Sequence, residues 1–147
     1  MKTDDQIIYQ KLGELLWSVM PDEAKEIKYV GMFYQNSSQA GSSWVDKLDT
    51  THSFYEGFSN PVQEIEQEIL NLAVDLQKCS IFSENPWTHL LITLTEDGNF
   101  KIDFAYISEE DSWPSLYMRS VSDLDQTELD EYYIPMKEWK RCVSSKK

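Results

Sequence analysis

Few side chains in this chain carry the chemistry that catalysis requires. There are two histidines, His52 and His89, and two cysteines, Cys79 and Cys142. An activated nucleophile needs a base within hydrogen-bond reach, and no local spacing brings any of these four together. His89 falls inside an apolar run and is expected to be a structural imidazole, whereas His52, in a Thr-Thr-His-Ser turn, is expected to be solvated. No G-x-S-x-G, H-E-x-x-H, phosphate-loop or dinucleotide-binding pattern is present. Carboxylate pairs can be drawn at will from 26 acids, so they discriminate nothing. The cysteines lie far apart, without C-x-x-C or metal-ligand spacing, and two reduced thiols are the default over one disulfide. A calcium loop counted from Asp123 needs glycine at its sixth position and has Glu128 there. The expectation is a protein without catalytic residues, metal or cofactor.

Binding chemistry is better supplied. The chain has 147 residues, 26 Asp and Glu against 13 Lys and Arg, and a formal net charge of -13. Only Arg119 and Arg141 are arginines. A surface that reads phosphates with basic residues is therefore disfavoured, and a positively charged partner is favoured by long-range attraction. The acids concentrate between Asp103 and Glu131, where nine stand against one base, Arg119. Tyr106, Trp113 and Tyr117 are interleaved with them, and Tyr132 and Tyr133 follow. The candidate partner-binding residues are Asp103, Tyr106, Glu109, Glu110, Asp111, Trp113, Asp123, Asp125, Glu128, Asp130 and Glu131. Aromatic anchors would supply contact area and the acids would steer. The alternative is a solvated acidic face whose aromatic residues belong to the core.

The elements that position these residues can be read from the apolar spacing. An amphipathic helix is predicted from Asp4 to Met20, with Thr3 and Gln6 as a capping box, Pro21 as the stop, and Ile8, Leu12, Leu15, Leu16 and Val19 inward. Trp17 falls off that stripe and is either packed beneath a neighbouring element, the commoner fate, or exposed for a partner. Strands are predicted over Ile27–Tyr34, Ser43–Leu48 and Ser53–Phe58, with Asn36–Ser42 as a polar loop. Asn60-Pro61 opens a second helix whose stripe is Ile65, Ile69, Leu72, Leu76 and Cys79, which buries that thiol. A hairpin follows: Trp87–Thr95, a turn at Glu96-Asp97-Gly98-Asn99, then Phe100–Ile107 with Phe100, Ile102, Phe104 and Tyr106 on one face. After Ile107 no period is visible. The N-terminus has acids where a signal peptide would have bases, and no stretch reaches transmembrane length, so a cytoplasmic protein is expected. The fold class is α+β, a mostly antiparallel sheet of about five strands packed against two amphipathic helices, with residues 1–147 as one domain.

The run Asn85-Pro86-Trp87-Thr88-His89-Leu90, with Asp97-Gly98-Asn99-Phe100-Lys101-Ile102-Asp103-Phe104 and Tyr106, resembles the hairpin of the YezG-like antitoxin (immunity) family. The first helix and the aromatic strand at Tyr29–Tyr34 are similar in order and spacing, so the resemblance covers most of residues 4 to 107. It implies a small cytoplasmic protein that neutralises a cognate toxin domain, often a nuclease, by occlusion rather than chemistry, with no direct contact to nucleic acid or membrane. The runner-up is an adaptor or secretion chaperone holding a basic client protein; a small enzyme using His52 or His89 is third.

Overall fold

The computed structural model describes residues 4–35, 37–54, 61–114 and 116–145. Helix α1 spans Asp4–Val19, and Asp4 and Asp5 place negative charge in its first turn, where the helix dipole favours it. Ile8, Leu12 and Leu16 are buried and Leu15 and Val19 partly so, as the spacing predicts. Thr3 lies outside the described residues. Trp17, in contrast, is 54% exposed.

The sheet is antiparallel, ordered β3-β2-β1-β4-β5. β1 is Ala24–Tyr34, β2 Ser37–Asp46, β3 Thr51–Ser53, β4 His89–Thr95 and β5 Phe100–Ala105. The predicted loop at Asn36–Ser42 is corrected: Ser37 to Ser42 pair residue by residue with β1, from Tyr34↔Ser37 to Tyr29↔Ser42. Ser37, Ser38 and Gln39 are exposed, so this stretch is held by its backbone ladder and shows no apolar alternation. β3 also starts earlier than Ser53 and ends there, and residues 55–58 of that predicted strand lie outside the described residues. Asp46 builds the β2–β3 turn by accepting from Leu48 N (2.8 Å) and Thr50 N (3.0 Å). The hairpin turn is as expected, with Gly98 at φ 86°, a conformation glycine enters without strain. β5 stops at Ala105, however, and Tyr106 is 54% exposed rather than inward.

Helix α2, Gln63–Gln77, starts two residues beyond Pro61, and the expected cap Asn60 lies outside the described residues. Its buried line is Ile69, Ala73 and Leu76, with Ile65 and Leu72 at the margin. The small side chain of Ala73 carries no strong periodic signal, so the true centre of the stripe was displaced. Cys79 follows the helix end and is half-buried rather than buried. Burial and then Asp4, Asp5 and Asp75 push its thiol up, away from the reactive thiolate.

Both helices contribute to one core. Ile8, Leu12, Leu16, Ile69, Ala73 and Leu76 pack with Ile27, Tyr29 and Phe33 of β1 and Leu90, Ile92 and Leu94 of β4. Phe100, Ile102 and Phe104 pair with Leu94, Ile92 and Leu90 and extend that face along β5. Gly31 is required by a close approach: a Cβ there would meet the Phe33 ring at 2.6 Å.

Beyond Ile107 the chain forms short 3₁₀ turns at Glu109–Asp111, Val121–Asp123 and Gln126–Tyr132, and then helix α3, Met136–Ser145. A third helix was not expected. These pieces bury Leu116, Val121, Leu124, Leu129, Ile134 and Cys142 as a second core, with Trp113, Tyr132 and Trp139 against it.

Ile69 is 1% exposed in the principal core. Ile69→Asp should place an unpaired carboxylate there, cost about 4 kcal/mol or more, and lower Tm by roughly 10 °C or more. Thermal unfolding followed by circular dichroism checks this.

Candidate functional site

The histidines and cysteines do not meet. His52 is not free in solvent as expected: Nε2 lies 2.7 Å from Asp46 Oδ2, and its ring stacks on Trp44 at 4.2 Å. Hydrogen bonds from His52 and the turn hold the Asp46 carboxyl below the usual range. Cys142 is buried in the second core, and burial raises its thiol. Among the described residues no group of His, Cys, Asp and Glu could hold a metal ion.

His89 is fully buried, and Thr88 supplies its hydrogen bond. Nδ1 lies 2.8 Å from Thr88 Oγ1, which also accepts from Ile107 N (2.9 Å) and reaches Ala105 O (3.2 Å). A hydroxyl has one proton to give. Either Ala105 O or His89 Nδ1 can take it, and Ala105 O already accepts from Thr88 N (3.0 Å). Nε2 is a buried atom without a hydrogen-bond partner among the described residues, so charging the ring would bury a cation with one N–H unpaired. Desolvation lowers the His89 pKa accordingly. This is a structural imidazole, as the sequence suggested, rather than a general base open to substrate.

The acidic segment divides into two groups. Asp103 lies on β5, opposite Leu91, with Lys101 Nζ 3.7 Å away. The others belong to the 3₁₀ segment, and four of them build its backbone. Asp111 accepts from Ser122 N (2.9 Å) and Ser122 Oγ (2.5 Å), tying the start of the segment to its middle. Asp123 accepts from Ser120 Oγ (2.7 Å) and Ser120 N (3.3 Å). Asp125 caps the longest turn through Thr127 N (2.9 Å) and Thr127 Oγ1. Those bonds hold its carboxyl below the ordinary range. Glu128 reaches back to Asp125 N (3.3 Å) and pairs with Arg119 Nη2 (2.9 Å). Each of these carboxylates stops a local backbone N–H from competing with the packing beneath.

The segment also presents an outer surface. Tyr106, Glu109, Glu110, Asp123, Asp125, Asp130 and Glu131 are exposed, while Asp103, Asp111, Trp113 and Glu128 are partly buried. Trp113 packs on the second core and donates from Nε1 to Tyr132 O at 2.9 Å. Its indole is thus committed within the chain. Tyr133, outside the candidate set, is 85% exposed at φ 57°, the left-handed position that ends the 3₁₀ turn. Its neighbour Tyr132 lies against the core, and only the backbone geometry separates the two roles. Ser115 lies outside the described residues.

Two outcomes follow from this geometry. His89 is neutral in the fold and has its pKa depressed, so the unfolded chain takes up more protons once pH falls below about 6.5. His89-linked stability is fully present above that pH and is lost below it, at no more than about 1.4 kcal/mol per pH unit; His89→Gln should flatten the fall in Tm between pH 7 and 5. Trp113→Phe should remove the bond to Tyr132 and cost about 1 kcal/mol, read by urea unfolding.

Among the described residues no helix is long and apolar enough to cross a membrane. The family model described as Immunity protein YezG-like matches residues 6–122. No curated protein matches the chain. The matched stretch contains all but the first two residues of α1, the whole of α2 and the sheet, and the first part of the acidic segment. With well over half of its length inside that match, the chain belongs to the YezG-like immunity protein family.

Proposed function

We propose that this is a cytoplasmic immunity protein that binds a basic toxin domain, a nuclease, and blocks it by occlusion, with the acidic tail of the sheet as its contact face. Membership of the immunity family over residues 6–122 carries the reading. The net charge of -13 supports a basic target, since opposite charge speeds encounter and a nucleic-acid site is itself basic. Exposed Glu109, Glu110, Asp130 and Glu131 supply the steering charge. Trp113 is built into the second core, which leaves Tyr106 and Tyr133 as the large side chains free to anchor. Inhibition of this kind needs stoichiometric contact and no turnover.

The product of the adjacent gene should copurify with the protein at equal stoichiometry. Glu109→Lys with Glu110→Lys should slow association about tenfold at low salt and reduce its salt dependence, with Tm unchanged. Tyr133→Ala should instead raise the dissociation rate, at a cost on the order of 2 kcal/mol. Stopped-flow association and surface-binding kinetics separate the two. A complex indifferent to all three changes would remove the tail from the interface.

A further inference from the structure

We propose a second recognition point outside the acidic tail, in the cleft between α1 and the β4–β5 hairpin, which accepts one arginine side chain from the toxin domain; the proposal rests on the immunity reading above. The cleft has a volume of about 590 Å³, and its lining includes three aromatic rings (Tyr9, Trp17 and Phe100) and one carboxylate, Glu14. Tyr9 and Phe100 stand 6.5 Å apart, tilted at 49°. Trp17 also lines the adjoining depression, where Asp22, Glu96 and Asp97 face a single base, Lys47. Aromatic faces backed by carboxylates attract a cation through the ring quadrupole as well as through charge. Arginine fits better than lysine, because its planar guanidinium stacks on rings while its outer N–H groups remain available to Glu14.

Two features of the sequence that the fold does not otherwise use agree with this. Trp17 leaves 54% of its surface exposed on a helix whose inward face is already filled by Ile8, Leu12 and Leu16. Gly13 stands in the interior of α1, where glycine is the poorest helix former after proline. Packing does not demand it: a Cβ there would meet Phe100 at 3.5 Å, an ordinary contact. What the missing side chain leaves is room in the cleft.

The test has two arms. In the first, the full chain is titrated with N-acetyl-arginine amide and with its neutral counterpart N-acetyl-citrulline amide, following the indole and backbone N–H resonances. The Trp17 indole and Gly13 amide should respond to arginine at least fivefold more than to citrulline. Trp17→Ala, at an exposed position, and Gly13→Leu should each abolish the preference while the protein stays folded by circular dichroism. Equal responses to the two probes would overturn the cation cleft, whatever becomes of the toxin. In the second arm, binding of the adjacent gene's product is compared between wild type and Trp17→Ala, and at least a tenfold loss is expected. Unchanged binding would overturn the cleft as a toxin contact and leave the immunity reading standing. Failure of the wild type to bind that product, with the arginine preference intact, would overturn the immunity reading and the toxin as occupant together.

Discussion

Thr88 lies immediately before β4, where four parts of the chain meet, and the rest of the architecture depends on how that junction is satisfied. Its carbonyl accepts from Phe33 N of β1 (2.7 Å), and its own N–H donates to Ala105 O at the end of β5 (3.0 Å). Its hydroxyl accepts from Ile107 N, which fixes where the chain leaves the sheet. From the other side Gln77, the last residue of α2, donates to Phe33 O (3.1 Å) and Trp87 O (2.5 Å). Tyr34 OH then holds Ile107 O at 2.9 Å. Buried backbone groups must find partners, and here one helix end, two strands and the departing tail satisfy each other. The tail's direction is therefore set by the same bonds that close the first core.

That direction explains why a second core exists. After Ile107 the chain has little apolar surface in any one stretch and cannot form a long amphipathic element. It collects single apolar residues from several short turns instead, and α3 closes them. The indole of Trp139 donates to Leu124 O (2.8 Å) and that of Trp113 to Tyr132 O, so both large rings are fixed by a polar end as well as by packing. Gln39 Nε2 ties this unit back to β2 through Pro114 O (2.8 Å) and Tyr117 OH (2.9 Å). The family match ends at residue 122, inside this core, whose Leu116 and Val121 lie within the match and whose Leu124, Leu129 and Ile134 lie beyond it. Tail and body thus share packing. Change in the tail is physically cheapest at outward positions such as Asp130, Glu131 and Tyr133.

What could be read from the sequence followed how strongly burial marks each element. α1, β1, the β4–β5 hairpin and the middle of α2 each place large apolar residues at a regular spacing, and each lies where that spacing predicts. β2 was half hidden because its first residues bury little and are held by β1's backbone. α3 was missed because Cys142 is its one buried residue, with Trp139 half-buried beside it. Among the site residues, the types were informative and the roles were not. Trp113 and Tyr133 are both aromatic residues beside acids, yet one is fixed in a core by an N–H bond and the other projects at a left-handed turn. Nothing in local spacing separates them. The exposed Trp17 was visible as an outlier from its stripe, but its neighbours Phe100 and Leu94 come from a hairpin some eighty residues away, a juxtaposition that only the closed sheet creates.

The acids of the tail form a local scaffold, and on the binding reading proposed above the same acids form the steering field. A carboxylate that caps a turn gains hydrogen bonds only while it is ionised, so Asp125 is held in its charged form by the N–H and hydroxyl of Thr127. It remains a full negative charge to anything approaching from solvent, because hydrogen bonding redistributes that charge locally without cancelling it. Arg119 offsets one of these charges at short range through Glu128, and Arg141 spans Glu138 and the Glu110 carbonyl. Beyond these, the segment's charges add over the roughly 8 Å that physiological salt allows. Short-range bonding therefore fixes the ionisation and position of each acid, while long-range attraction depends only on their sum. A tail too polar to fold by apolar burial alone can in this way be ordered by the groups that make it attractive to a basic partner.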